Sequence, residues 1–412
     1  MRLTPCRLSP FVRHLVAYGA SEAAAKVSRL LVVVAVARTL DASAIGLAAA
    51  ALAASEILKA FTENGVGQKI IAARADELAG VCKTARRIFW VWCLALFFLQ
   101  LLIGSLAYAA SGDLLFFLLF ALLAGEYLFM PAGLVQCFLA MREGRLGATA
   151  AIGAGQIVFA NLATAALTLV WPSALAMVLP KLLAAPLWLI AMRRLRPWRA
   201  DPDAPAAPLR PFLRFGGAIL GVEVVKALRA QADKLVIGAL LGAEALGIYF
   251  FAFNAGLGIA TSFSTAFATV LFPHLCAAGD RRATLRSALM LGLGLLTPVI
   301  VLQAFMAPLY VPLLFGERWA DASDVVSILC LAAVPGLIWS AVAQWLRAHD
   351  MAGQEFRRSA LIALLLILST AALAPYGLVA IASGYLAIAT IGQLAAAGPL
   401  LLNLFILRSK EA

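Results

Sequence analysis

Long apolar blocks follow one another almost from end to end of the chain, and they constrain its fold more than any other feature. A helix that crosses the hydrocarbon core of a bilayer needs about 20 mostly apolar residues. With 63% hydrophobic and 13% charged residues in 412, the sequence predicts an integral membrane protein. The twelve predicted spans are approximately 10–37, 42–63, 87–110, 114–141, 146–170, 173–192, 212–238, 244–272, 285–311, 323–347, 356–375 and 378–406.

These blocks favour helices over strands. A membrane β-barrel would show segments of about ten residues in which apolar and polar side chains alternate, whereas these blocks are long, unalternating and rich in Leu and Ala. The predicted fold is therefore all-α. The first block contains Glu22, Lys26 and Arg29 and lacks a cleavage site after a clean apolar core, so we expect it to remain as the first span and not to be removed as a signal peptide.

The basic residues indicate how the chain is oriented in the membrane. The net charge is +12, and 24 of the 33 Lys and Arg residues fall on one side of the predicted spans. Only Arg38 and Arg318 fall on the other side, and seven lie within spans. Because basic residues concentrate on the cytoplasmic side of membrane proteins, both termini are predicted to be cytoplasmic. The excess of positive charge is then explained by the orientation of the chain in the membrane. No nucleic-acid partner is therefore expected.

A polar segment divides the spans six and six. RRLRPWRADPDAPAAPLRP, at 193–211, has the composition of a linker, so we predict an N-terminal lobe at 1–192 and a C-terminal lobe at 212–412. TLDASAIGLAAAALA at 39–53 resembles LLGAEALGIYFFAFN at 240–254, a shift of 201 residues, and Gln136 pairs with Gln344 at a shift of 208. Because each half has an even number of spans, the halves should be related by an axis along the membrane normal and enclose a central cavity.

Charged side chains form a stripe on the first helix of each predicted half. At 100° per residue, those of span seven fall in a sector about 140° wide, and those of span one in a sector of about 60°. Because a charge in hydrocarbon costs at least about 2.5–3.5 kcal/mol, both stripes should face protein or water. Span seven contributes Glu223, Lys226, Arg229, Asp233 and Lys234, and span one contributes Glu22, Lys26 and Arg29.

Two interpretations of these stripes remain open. The spacings of Glu22 with Lys26, of Glu223 with Lys226 and of Arg229 with Asp233 suit structural ion pairs within a helix. Alternatively, the stripes line a hydrated cavity that binds an anionic substrate, while the acids keep the bases charged and are available for proton coupling. Lys59 could line the same cavity or extend to the membrane interface. Glu126 in span four and Lys181 in span six are the lone ionisable groups of their spans, and either could face the pathway or not.

Several chemistries have no motif in the sequence. There is no phosphate-binding GxxxxGK[ST] loop and no loop long enough for a catalytic domain. No Cys/His cluster suggests a metal, and no cysteine falls in an outer loop, so disulfides are not expected. We therefore expect a transporter rather than an enzyme, with no catalytic residue, metal or cofactor.

The segment RFGGAILGVEVVKALRAQADKLVIGALLGAEALGIYFFAFNAG at 214–256, together with QWLRAHDMAGQEFRRSA at 344–360, resembles the polysaccharide transporter family of the multidrug/oligosaccharidyl-lipid/polysaccharide exporter superfamily. This resemblance covers essentially the whole chain. It implies that the protein flips a polyprenyl-diphosphate-linked oligosaccharide across the bacterial inner membrane by alternating access, for O-antigen or exopolysaccharide assembly. Membrane lipids, a polysaccharide polymerase and glycosyltransferases are the implied partners.

The resemblance also assigns roles to the charges. Substrate-binding roles fall on Lys26, Arg29, Lys226 and Arg229, and coupling or charge-tuning roles fall on Glu22, Glu223 and Asp233. Lys59 and Lys234 are further candidates for substrate binding because of their positions among the intramembrane charges, and not because of the resemblance. Three alternatives remain open: a peptidoglycan-precursor flippase, a drug or cation exporter of the same superfamily, and a non-transporting membrane partner in a polysaccharide assembly complex.

Overall fold

The structure, a computed structural model, describes residues 28–62, 65–203, 205–349 and 351–405. Within these ranges it consists of helices and contains no strand, which confirms the predicted all-α fold. The helices are α1 (28–39), α2 (Ala42–Lys59), α3 (Val66–Ala72), α4 (Leu78–Ser111), α5 (Leu114–Ala124), α6 (Glu126–Phe129), α7 (Pro131–Arg142), α8 (Leu146–Val170), α9 (Ala174–Leu195), α10 (Arg210–Ala277), α11 (Arg281–Phe315), α12 (Ser323–Leu331), α13 (Ala333–Ala348), α14 (Ala352–Leu373) and α15 (Leu378–Phe405).

The helices match the predicted spans closely. Nine described segments are long and apolar enough to cross a membrane, and α5–α6 with α7 form a tenth that is bent by 52°. The 68-residue α10 covers the two predicted spans 212–238 and 244–272, and Gly242 interrupts the helix between them with a φ of 86°. These helices account for eleven of the twelve predicted spans. Most of the first, 10–37, lies outside the described residues.

Short polar residues and glycines determine where the helices begin and end. The Asp41 carboxylate accepts a hydrogen bond from the Ala44 amide at 2.6 Å and so caps the start of α2. Asp280 caps α11 in the same way. Gly112 ends α4 with a φ of 72°, a left-handed conformation that glycine adopts without a steric penalty.

The described chain forms two compact units. The central unit comprises Ala35–Gly247, and the described part of the terminal unit lies within Met1–Val34 and Ile248–Ala412, at 28–34, 248–349 and 351–405. In the central unit, the long α4 precedes the bent span and the packed pair α8–α9. In the terminal unit, the long α11 precedes α12–α13 and the packed pair α14–α15. The predicted lobes at 1–192 and 212–412 divide the spans by their order along the chain, whereas the two units divide the residues by their contacts. The six-span lobes therefore stay a prediction.

The predicted linker is bound to the central unit along part of its length. The Ala207 amide donates to the Gly80 carbonyl at 3.3 Å, and the Ala207 carbonyl accepts from the Thr84 hydroxyl at 2.9 Å. The Lys83 ammonium donates to the Pro202 carbonyl at 2.6 Å. The linker is therefore held against the first turns of α4 by hydrogen bonds.

Candidate functional site

Helix α2 places two opposite charges in contact with other spans of the central unit. Its sequence, ASAIGLAAAALAASEILK, is rich in small residues, which allow neighbouring helices to approach closely. Glu56 and Lys59 lie three positions apart near its C-terminal end, so both side chains project from the same side of the helix.

Lys59 forms an ion pair with a residue of another span. Its Nζ lies 2.6 Å from Oε2 of Glu126, and the two side chains are 38% and 11% exposed. Glu126 is the first residue of α6, where the bent span is interrupted between Gly125 and Pro131. A break of this kind frees backbone groups from the helical hydrogen-bond pattern and is common at transporter binding sites.

Glu56 forms the second pair, with α9. The Nζ of Lys181 lies 2.9 Å from Oε1 of Glu56, and their side chains are 35% and 40% exposed. Two residues three positions apart on one face of α2, one acidic and one basic, therefore pair with oppositely charged residues of two other spans. We call Glu56, Lys59, Glu126 and Lys181 the charge cluster.

The sequence did not predict this cluster. Glu126 and Lys181 are the lone ionisable groups of their spans, so no spacing within a helix could pair them, and each has its partner 67 or 125 residues away along the chain. Spacing within a single helix contains no information about such contacts. The one available signal was position: Lys181 follows Pro180, and Glu126 lies between Gly125 and Pro131.

The first part of α10 carries the predicted stripe of charges. Glu223 and Lys226 form the expected pair, with 2.6 Å between Oε1 and Nζ. Asp233 lies 3.4 Å from its neighbour Lys234, whose Nζ also donates to the Ala230 carbonyl at 2.6 Å. Both of these residues are only 4% exposed, so this pair is deeply buried whereas Lys226 is exposed.

The remaining predicted site residues are spread over both units. In the terminal unit, Arg29 of α1 donates from Nη2 to the Asn254 side-chain oxygen at 2.8 Å. Arg229 of α10 is half-buried and interacts with other groups of the protein. Glu22 and Lys26 lie outside the described residues, so their predicted pairing does too.

The described charges can neutralise one another while some remain accessible. Glu56, Glu126, Glu223 and Asp233 each have a lysine within 3.4 Å. Among the residues that the structure describes, no group of three His, Cys, Asp or Glu side chains could hold a metal ion. The chemistry that this arrangement offers is binding of charged groups by lysine and arginine.

Known proteins share both the sequence pattern and the fold of this chain. The family model described as "Polysaccharide biosynthesis protein" matches residues 35–324. The chain is 23% identical over 334 residues to "Lipopolysaccharide biosynthesis protein WzxC" of Escherichia coli K12, a match that covers 78% of this chain and 66% of that protein. The chain therefore spans slightly less than two thirds of that relative's length.

Two solved structures are similar over almost the whole chain. "Lipid II flippase MurJ, inward closed conformation" matches with a TM-score of 0.78 and 14% identity, covering 94% of this chain and 87% of MurJ. An inward-facing multidrug resistance MATE family transporter of the MOP superfamily matches with a TM-score of 0.70 and 13% identity, covering 94% and 96%. Both are transporters by description and neither is an enzyme. This chain belongs to the polysaccharide biosynthesis protein family, and it is a multi-pass membrane protein with the fold of the MOP-superfamily transporters.

Proposed function

We propose that this protein flips a polyprenyl-diphosphate-linked oligosaccharide from the cytoplasmic to the periplasmic leaflet of the bacterial inner membrane, with both termini cytoplasmic. Membership of the polysaccharide biosynthesis protein family and similarity to a lipopolysaccharide biosynthesis protein support the class of substrate. The fold, which resembles those of a flippase and a drug transporter, supports movement by alternating access.

The observation that carries the proposal is the charge cluster. Lys59, Lys181 and Glu56 are each more than one third exposed, although they belong to spans of high mean hydropathy. Since ionised groups at membrane depth avoid lipid and face protein or water, their exposed parts should face an aqueous space. Such a space, lined by lysines, is suited to the diphosphate and hydroxyl groups of the substrate.

The cations have different roles in this proposal. Lys59 and Lys226 of the central unit retain exposed surface and make the first contacts with phosphate oxygens. Arg29 of the terminal unit is also exposed, and Lys26 and Arg229 belong to the same stripes as Arg29 and Lys226. The buried Asp233–Lys234 pair suits proton or ion coupling better than direct binding, because a group 4% exposed offers little surface to a large substrate. Glu22 and Glu223 tune the charge of their neighbouring lysines.

Transport by the purified protein tests the proposal directly. The full chain is reconstituted in liposomes that contain a labelled polyprenyl-diphosphate oligosaccharide, and the fraction of glycan accessible to an external lectin or glycosidase is followed. We expect rapid redistribution between leaflets with the wild type and at least about tenfold slower redistribution with Lys59→Ala or Lys181→Ala, because each loses a charge-assisted contact.

The controls separate transport from the alternative of a non-transporting assembly partner. Arg282→Ala removes an exposed cation from the start of α11 and should leave the rate unchanged. If the wild type redistributes the lipid no faster than empty liposomes do, the proposal is wrong and the assembly role becomes the better explanation. A labelled lipophilic cation in the same liposomes tests the alternative of a drug or cation exporter. Transport of this cation without transport of the lipid-linked glycan would favour that alternative.

A further inference from the structure

A cavity of about 570 Å³ opens at one end of the central unit, where α4, α7 and α9 meet the linker. The distribution of Lys and Arg assigns this end to the cytoplasmic side. Three arginines line the cavity, one from α4, one from the end of α9 and one from the linker, together with two tryptophans. They are Arg86, Arg193 and Arg199 with Trp90 and Trp198.

The arginines of this cavity are not neutralised by the protein. No acidic side chain lines the cavity, and none of the three arginines forms an ion pair within the described chain. The nearby Arg196 shows the contrast, because its guanidinium bonds to the Glu143 carboxylate at 2.6 Å. The cavity therefore concentrates positive charge that is available to a ligand.

Gln136 adds an uncharged polar group to the wall of the cavity. It lies on α7, lines the cavity and is only 7% exposed. Its side-chain amide makes no hydrogen bond to any other described residue and borders the open cavity, so it is available to a ligand there. A phosphate oxygen in the cavity can accept a hydrogen bond from this amide.

We propose that this cavity binds the phosphate head group of a membrane lipid. The planar guanidinium of arginine binds phosphate oxygens through two parallel hydrogen bonds. Basic pockets between transmembrane helices on the cytoplasmic side are suited to anionic lipid head groups, and tryptophan is enriched at that depth. The volume is also within the range of about 300–1,000 Å³ that is typical of ligand pockets.

The proposed pocket shares no residue with the charge cluster, and its binding function does not depend on flipping. Two kinds of lipid present the required phosphate ester: anionic phospholipids and polyprenyl diphosphates. A binding measurement without a transport step distinguishes them, and its failure would leave the flippase proposal untouched.

Farnesyl diphosphate, which carries a short prenyl chain, is a suitable probe for the purified full-length protein in detergent. We compare Arg86→Gln/Arg193→Gln with the matched control Arg87→Gln/Arg194→Gln, which removes the same charge from adjacent positions that do not line the cavity. We expect the Kd to rise at least about tenfold for the first double variant and to stay unchanged for the control. Equal Kd values for the two double variants would overturn the proposal.

Gln136→Leu tests the pocket without altering its charge. Loss of the amide hydrogen bond should weaken farnesyl diphosphate binding by about threefold, and wild-type affinity in this variant would count against the pocket. Inorganic pyrophosphate, added as a competitor, tests whether the ligand is a lipid, because competition as strong as that of farnesyl diphosphate would indicate a site for free anions and overturn the lipid assignment.

The source of the lipid is then decided by repeating the measurement in nanodiscs. If phosphatidylglycerol nanodiscs abolish farnesyl diphosphate binding while phosphatidylcholine nanodiscs preserve it, the occupant is an anionic phospholipid. If binding persists in phosphatidylglycerol, the pocket selects the prenyl diphosphate. Either result supports a lipid-phosphate site.

Discussion

Gly46 of α2 and Gly247 of α10 meet at a helix crossing where the two backbones touch. A Cβ atom on Gly46 would overlap the carbonyl of Ala243, and a Cβ atom on Gly247 would overlap the carbonyl of Ala42. Gly247 follows Gly46 by 201 residues, and Ala243 follows Ala42 by the same 201 residues, which is the shift of the repeat found in the sequence. The contact is thus reciprocal, as it would be across a two-fold axis.

We predict that alanine is not tolerated at this crossing. Gly46→Ala and Gly247→Ala should each lower the free energy of unfolding by about 1–3 kcal/mol, because the backbones must separate to admit a methyl group. Gly153→Ala is the matched control, since no atom lies within 4 Å of the added Cβ in α8. Thermal unfolding in detergent measures the difference, and equal midpoints for Gly46→Ala and Gly153→Ala would contradict the prediction.

A double-mutant cycle on Lys59 and Glu126 should show that their ion pair stabilises the central unit. We expect Glu126→Gln to be destabilising in the wild type but less so beside Lys59→Met, with a coupling energy of about 1 kcal/mol, because Glu126 is largely buried whereas Lys59 is partly solvated.

The exposed Arg74–Asp76 pair, 3.0 Å apart, is the control for that cycle. Its coupling energy should be at most about 0.5 kcal/mol, since solvent screens both charges. The same coupling in the two cycles would mean that the charge cluster makes no special contribution to stability.

In cells, Lys226→Ala and Arg229→Ala should abolish surface polysaccharide while the protein remains inserted and abundant. The physical reason is that each removes a cation from the polar stripe of α10 without altering its apolar surface. Complementation of a deletion strain, with membrane abundance followed by immunoblot, gives the result. Full complementation by both variants would refute the binding role proposed for them.

The contact between the linker and α4 should protect the linker from proteases. Thr84→Val removes the hydroxyl that donates to the Ala207 carbonyl, and a loss of about 1 kcal/mol corresponds to roughly fivefold faster local opening. Limited trypsin digestion after Arg199 measures the rate. Thr149→Val is the control, because the Thr149 hydroxyl bonds only to the Leu146 carbonyl in its own helix turn. Trypsin should cleave this variant at the wild-type rate.

Contacts within a helix could be predicted better than contacts between helices. The spacing of Glu223 and Lys226 predicted their ion pair, because residues three apart in a helix share a face. The same rule paired Asp233 with Arg229, and that pairing stays a prediction; the structure also brings Asp233 within 3.4 Å of its neighbour Lys234.

The sequence by itself determined which segments cross the membrane, because hydropathy and helix length are local properties. It also determined that charges had to lie inside the protein, since lipid excludes them. Only the tertiary structure decided that Lys59 meets Glu126, that Lys181 meets Glu56, and that three arginines from separate segments share one cavity. Those contacts depend on how the helices cross and bend, and residues far apart in sequence give no spacing from which that geometry can be calculated.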